Sequence, residues 1–226
     1  MKKSARYLEA KAPVDGAKLY GLDEALDLIL QGKAPKFDET VELHMKLGID
    51  VKKADQNIRG TISMPNGIGR TVRVVAFAQG EKAQACRDAG ADEVGDEELA
   101  KRIQDGWTDF DLVLATPDMM KYVGRLGRIL GPQGKMPSPK AGTVVEDIAA
   151  AVGEFKAGKI EYRADSSGNV HAPVGKRSFD KQALKENIEA FIERIRSVRP
   201  SSAKGRYIQK AVLSSTMGPG IKLAVE

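Results

Sequence analysis

The sequence predicts two kinds of fold in one chain: an α+β discontinuous outer domain, an antiparallel sheet with helices, and an α/β domain inserted in it. Three observations lead there. Strict alternation of apolar and polar residues over 40–49, and again from 159 onward, marks half-buried strands on both sides of the middle. Short apolar runs alternating with helical stretches fill the middle, as in a parallel sheet covered on both faces. Neither outer stretch alone holds enough elements for a domain. The economical division is residues 1–67 plus 159–226 for the outer domain and 68–158 for an inserted, three-layer, Rossmann-like one.

The elements follow in order. Leu22, Ala25, Leu26, Ile29 and Leu30 share one helix face, with Asp23, Glu24 and Asp27 in its early turns, where the helix dipole favours anions. Gln31-Gly32 ends that helix. Over Thr40–Ile49, Val41, Leu43, Met45, Leu47 and Ile49 alternate with Thr40, Glu42, His44, Lys46 and Gly48, a long strand with one wet face. Met64–Gly69 is a breaker cluster and a natural linker. In the middle, Val72–Phe77, Asp92–Val94 and Asp111–Ala115 read as strands, and Glu81–Ala89 and Glu97–Ile103 as helices. Asp118–Leu130 reads as one helix capped near Thr116 with Pro117 in its first turn, and Glu146–Phe155 as another ending near Gly158. From Lys159, Ile160, Tyr162 and Ala164 oppose Glu161, Arg163 and Asp165. A turn at Ser166–Asn169 and a partner strand through Val170, Ala172 and Val174 complete an expected hairpin. Leu184, Ile188, Phe191, Ile192 and Ile195 mark an amphipathic helix with Pro200 beyond its end. Tyr207–Ser215, a tight turn at Met217–Gly220, and Ile221, Leu223 and Val225 finish the chain. The connections near Asn66–Arg70 and Phe155–Lys159 are expected to form a double-stranded hinge.

Composition narrows the function classes. The 226 residues are 42% hydrophobic but only 5% aromatic, so aliphatic side chains fill most of any core. The apolar runs are far shorter than the roughly 20 residues needed to span a bilayer. The first ten residues lack the apolar stretch of a signal peptide. One cysteine, Cys86, and two histidines, His44 and His171, argue against a disulfide framework or a structural zinc site and fit a reducing, cytoplasmic setting. Net charge is +5. Its distribution says more: the outer pieces hold 24 Lys/Arg against 17 Asp/Glu, the middle piece 12 against 14. One part is thus suited to a polyanion and the other need not be.

The most unusual stretch is Gly124–Val145, with five glycines and three prolines. Lys121, Arg125, Arg128, Lys135 and Lys140 fall within an acid-free segment, directly after Asp88–Asp118 with its ten acids. A basic loop on an acidic domain fits a phosphate-facing surface. Equally, Gly and Pro could merely shape a long loop whose cations are solvated. A nucleotide loop is not indicated. Gly131-Pro-Gln-Gly-Lys-Met has neither the Walker spacing nor the hydroxyl for magnesium, and Gly124, Gly127 and Gly131 lie late in or after an expected helix. No Cys/His or Ser/His arrangement suggests catalysis.

Gly124–Val145 resembles the signature of the large-subunit ribosomal protein L-one family. The resemblance extends, in order, through Lys36–Glu42 (KFDETVE), Arg59-Gly60, Asn169–Lys176 (NVHAPVGK) and Ser215–Lys222 (STMGPGIK), nearly the whole chain. It implies a non-enzymatic, two-domain protein of the mobile stalk of the large ribosomal subunit, with no cofactor or metal. The outer domain would bind large-subunit (23S) rRNA. The inserted domain would face exit-site tRNA, through Lys121, Arg125, Arg128, Lys135 and Lys140 on our reading, and take part in its release. Many bacterial members also repress their own operon by binding a similar structure in its mRNA.

The family's main RNA site matches Lys36, Phe37, Thr40 and Glu42, then Asp165, Gly168 and His171, then Ser215, Thr216, Met217, Gly218 and Lys222. Hydroxyls and carboxylates can read the ribose 2′-OH, and Phe37 and Met217 can lie against sugars or bases. Each has a plainer reading: Phe37 as a staple at the strand entry, Thr216–Gly220 as turn chemistry, Glu42 as a solvated residue and His171 as a structural one. Ser166 departs from the family pattern, so no contact is carried there. Gln133 and Lys135 vary the loop without removing its glycines or prolines. His44 is no family signature and reads as a solvated strand residue.

Overall fold

The structure is a computed structural model that describes residues 4–225. Residues 1–3 and 226, included in the outer domain and, for 1–3, in the N-terminal reading above, lie outside the described residues. The chain forms two compact units: one ends at Gly69 and resumes at Tyr162, and the other is Arg70–Glu161. These divisions lie slightly beyond residues 67 and 158.

In the first unit, α1 (Ala5–Lys11) and α2 (Leu22–Gln31) precede β1 (Thr40–Leu47) and β2 (Arg59–Ser63). β6 (Lys159–Arg163) straddles the division at Tyr162, and β7 (Asn169–Lys176), α8 (Lys181–Ser197), β8 (Ile208–Ser215) and β9 (Ile221–Leu223) complete the first unit. Strands β7, β1, β8 and β9 form, in that order, a sheet whose neighbours are all antiparallel. The alternation in β1 sets its two faces: Val41, Leu43, Met45 and Leu47 are buried while Thr40, Glu42, His44 and Lys46 are half-buried. Helices α2 and α8 pack on the sheet. Leu184, Ile188, Phe191, Ile192 and Ile195 are the buried stripe of α8. Asp23 and Asp27 accept from Lys185 at 2.9 Å and Lys181 at 2.7 Å, so these acids link α2 to α8 as well as meeting the helix dipole. Asn187, fully buried on α8, accepts from the Asn66 amide at 3.0 Å and donates to the carbonyls of Gly67 at 2.9 Å and Val174 at 2.8 Å. The linker is therefore anchored to the first unit as far as Gly67.

The second unit has a parallel sheet in the order β4 (Glu93–Gly95), β3 (Val74–Phe77), β5 (Leu112–Ala115). All four residues of β3 are buried, because the strand is covered on both sides. Val74 and Ala76 join a cluster with Cys86 of α3 (Glu81–Asp88) and Ile148, Val152 and Phe155 of α7 (Ile148–Ala157). Val75 and Phe77 join another with Leu99 and Ile103 of α4 (Glu97–Gln104), and Val123, Leu126 and Leu130. Burial raises the pKa of the Cys86 thiol, which leaves it a small core hydrophobe.

Three expectations need correction. Asp118–Leu130 is not one helix. Turns of 3₁₀ helix at Pro117–Met119 and Gly124–Leu126 alternate with α5 (Met120–Val123) and α6 (Gly127–Leu130), and Thr116 makes no side-chain cap bond. Two glycines without side-chain packing let the coil tighten, while Met119, Val123, Leu126 and Leu130 keep a helix-spaced buried face. Second, β6 does not form the expected hairpin with β7. It pairs with β2, and a single Ala164–Val170 bridge joins the two sides of the Ser166–Asn169 turn. Both edges of β1 are occupied, by β7 and β8; alternation fixes a strand's faces but not its partner. Third, α1 and β2 were not foreseen. The end of the Gly124–Val145 stretch is also more than a loop: Val144 bridges Ala115, extending the parallel sheet, and Ala141 and Thr143 are buried.

Candidate nucleic-acid interface

The first unit offers two neighbouring features: a clamped loop at one end of its four-stranded sheet, and an open polar sheet face. The loop begins with Glu39, only 2% exposed just before β1. Its Oε2 accepts from Arg177 at 2.8 Å, and its Oε1 accepts from the Met217 amide at 2.9 Å. Arg177 also donates to the carbonyls of Leu30, at 3.0 Å, and Gly32. Thr216 completes the clamp. Its amide donates to the Thr40 carbonyl at 3.0 Å, and its hydroxyl oxygen accepts from the Thr40 amide at 3.0 Å. Lys176 donates to the Thr40 hydroxyl at 2.9 Å. A Cβ on Gly218 would stand 2.4 Å from the Ser215 hydroxyl, so any side chain there would force Ser215 to shift.

Local order at the clamp leaves two large side chains in water. Phe37 and Met217 are each 52% exposed, although nearby backbone is tied down through Glu39. An ordered, exposed apolar pair suits stacking against a sugar or base. Lys36 is exposed beside Phe37.

The open face is read from cross-strand register. His171, His44, Val212 and Lys222 form one row across β7, β1, β8 and β9, with Glu42 opposite Pro173 and Ser214 in the next. The His44 and His171 Nδ1 atoms lie 2.8 Å apart, and His44 Nε2 is 3.1 Å from the Ser214 hydroxyl. Burial, then the facing His171, lowers the His44 pKa, while Glu42 raises it. Lys222 reaches the Gly16 carbonyl.

Asp165 and Gly168 build the turn beside this row. The Asp165 carboxylate accepts from the Ser167 amide at 2.7 Å, the Asn169 amide at 2.8 Å and the Asn169 side chain at 2.9 Å. These bonds, the Asn169 amide foremost, hold its pKa at about 2. Gly168 is buried at φ 77°, a left-handed conformation that suits glycine. The structure thus gathers Thr40, Ser215, Thr216, Met217 and Gly218 at the clamp. It places Glu42, His171 and Lys222 on the open face, and Asp165 and Gly168 in the adjoining turn.

Sequence reasoning missed Glu39, Arg177, Lys176, Ser214 and the contacts of His44 with His171 and Ser214. No pattern marks a buried acid in Asp38-Glu39-Thr40. One signal was available for His44: the chain's two histidines both fall on wet faces of expected strands.

The second unit holds the other cations. Lys121 and Arg125 flank the Tyr122 ring, at 4.8 and 5.9 Å from its centroid. Lys121, Arg125, Arg128 and Lys140 are exposed. Lys135 is instead tucked in, donating to the Thr108 carbonyl at 3.1 Å and lying 4.9 Å from the Phe110 ring centroid. Among the described residues no group of His, Cys, Asp and Glu could hold a metal ion, and no helix is long and apolar enough to cross a membrane.

Comparison with known proteins agrees with the sequence resemblance. Residues 29–219 match the ribosomal protein L1p/L10e family. The chain is 58% identical over 223 residues to a Fervidobacterium nodosum protein named large ribosomal subunit protein uL1, covering 98% of this chain and 95% of that one. Proteins of the same name from Kosmotoga olearia and Thermosipho melanesiensis are each 56% identical, covering 98% of this chain and 96% of each relative. With the match spanning both compact units, the chain belongs to the ribosomal protein L1p/L10e family.

Proposed function

We infer that this chain is a structural, non-catalytic protein of the large ribosomal subunit, working in the cytoplasm, and that its first unit binds large-subunit rRNA. The observation that carries the RNA reading is the clamp: Glu39 and Thr40 fix the Thr216–Gly218 loop while Phe37 and Met217 stay exposed beside an open polar face. Relatives covering nearly the whole chain carry the name large ribosomal subunit protein, which supports the assignment to that particle. In domain terms, residues 1–67 plus 159–226 hold the RNA and 68–158 form the inserted domain. Lys36, Phe37, Thr40, Glu42, His171, Ser215, Thr216, Met217, Gly218 and Lys222 make or shape the contact surface, with Asp165 and Gly168 fixing the turn beside it. Recognition rests on shape and 2′-OH contacts, and the outer cations add a salt-dependent attraction.

Thr216→Val removes a clamp bond, and Met217→Asp places a carboxylate where a phosphodiester backbone would approach. Both should weaken binding of large-subunit rRNA in filter binding at fixed salt. Undiminished binding by both variants overturns the site.

The resemblance adds contact with exit-site tRNA, and a role in its release, through the inserted domain. Lys121, Arg125 and Arg128 support it, because their spacing sets three exposed cations along one side of successive helical turns. Lys135, held on Thr108 and Phe110, contributes less. Loss of tRNA crosslinks to subunits carrying Lys121→Ala, Arg125→Ala and Arg128→Ala together is the expected result. Repression of the operon mRNA would use the same site as rRNA, so competition between the two RNAs for one protein tests it.

A further inference from the structure

The two histidines of the chain meet on the β7–β1 side of the open sheet face. Their Nδ1 atoms are 2.8 Å apart, a hydrogen-bond distance, so one nitrogen carries a proton and the other offers its lone pair. The remaining nitrogens are placed differently. His44 Nε2 is 3.1 Å from the Ser214 hydroxyl, and His171 Nε2 is 3.7 Å from Asp165 Oδ2 on a side chain 55% exposed.

These contacts allow two states without moving a ring. In the neutral pair, His44 Nδ1–H donates to His171 Nδ1, the Ser214 hydroxyl donates to His44 Nε2, and His171 Nε2–H points toward Asp165. When one proton is taken from solvent, His171 becomes the imidazolium and its Nδ1–H donates to His44 Nδ1. The His44 proton then resides on Nε2 and donates to the Ser214 oxygen. That reversal frees the Ser214 O–H to donate outward, while the pair as a whole gains one positive charge. A second proton would set two N–H groups face to face across 2.8 Å, so the pair holds one charge at most in this geometry.

We propose that His44, His171 and Ser214 form a proton-linked phosphate reader within the RNA interface, taking up one proton as an RNA phosphodiester docks on it. The proposal rests on the reading that this sheet face binds RNA, and it assigns direct roles to His44 and Ser214. The charged surroundings are mixed. Glu42, 3.7 Å from His44 Nε2, and Asp165 favour the protonated pair. Lys46 on β1, Lys210 opposite it on β8 and Lys222 on β9 oppose it. Lys46 and Lys222 are engaged with the carbonyls of Ser167 and Gly16. Burial and the facing imidazole lower the His44 pKa, which makes His44 the neutral, accepting partner of the pair. Because the bound state then holds more protons than the free state, affinity rises as pH falls. A bound phosphate that raises the pair's pKa by one unit strengthens binding up to about tenfold across the titration.

The test uses the full chain and large-subunit rRNA. Calorimetry near neutral pH in two buffers of different ionisation enthalpy counts the protons taken up on binding. Filter binding from about pH 5.5 to about pH 8 gives the affinity profile around the ordinary histidine pKa. The expected result is uptake approaching one proton and tighter binding at low pH. His44→Asn and His171→Asn should each abolish both, and the double variant should lose no more than either alone. Ser214→Ala should weaken binding mainly at low pH. Thermal unfolding of each variant, with its midpoint near that of the parent, guards against misfolding. Retained rRNA binding with no proton uptake and a flat pH profile overturns the proton linkage and leaves the RNA site standing. Unchanged binding by Thr216→Val and Met217→Asp overturns the site itself, and with it this proposal.

Discussion

Glu39 and Arg177 form an ion pair at 2.8 Å with side chains only 2% and 11% exposed, and the same carboxylate holds the Met217 amide. Removing one partner leaves a charge buried without compensation. Arg177→Met should cost about 3–5 kcal/mol, read as a shift in the urea midpoint. Changing both residues together, Glu39→Leu with Arg177→Met, should cost less than Arg177→Met alone, because no orphan charge remains. A double variant at least as damaged as the single would mean that the pair matters chiefly through packing.

Asn187 is a second buried polar centre. Its amide meets the backbone of Asn66, Gly67 and Val174, so it stitches the linker to α8 and β7. Asn187→Leu fills the space but strands an N–H and two carbonyls. Destabilisation of about 1–3 kcal/mol is expected. Amide exchange at Asn66 should quicken with it, and an unchanged rate would show that the linker is held by other contacts.

The Asp165 carboxylate should give the first unit an acid-sensitive component. Its folded pKa lies at about 2, below the ordinary carboxylate value. The stability it supplies is therefore present above the unfolded pKa and is lost as pH falls through about 2. Urea midpoints from about pH 5 to about pH 2 should fall less steeply for Asp165→Asn than for the parent. Parallel slopes would remove Asp165 from the account.

Gly168 sits at φ 77°, and an added Cβ would come 3.3 Å from Ile49 Cγ1 and 3.4 Å from the Leu47 carbonyl. Gly168→Ala should cost about 1–2 kcal/mol from the left-handed conformation. Weaker RNA binding should accompany it, because the turn fixes the Asp165–His171 side of the interface. Full stability in that variant would show that the turn can relax.

Much of this protein was legible in one dimension. Alternation fixed the buried and wet faces of Thr40–Leu47, and helical spacing fixed the buried stripe of α8. The apolar run at Val74–Phe77 announced a strand covered on both sides, because such a strand has no wet face on which to place polar residues. The glycine- and proline-rich motifs carried the family, since the backbone tolerates few substitutes where it turns tightly.

What periodicity could not determine was partnership across long sequence separations. β6 shows its faces in its residues but not that it pairs with β2, nor that Arg177 fills the space beneath Glu39. The sequence placed His44 and His171 each on a wet strand face, but only register set them 2.8 Å apart. A strand's pattern is local, whereas its neighbour is chosen by the packing of the whole sheet. The contact of His44 with His171 and Ser214 arises from that second choice.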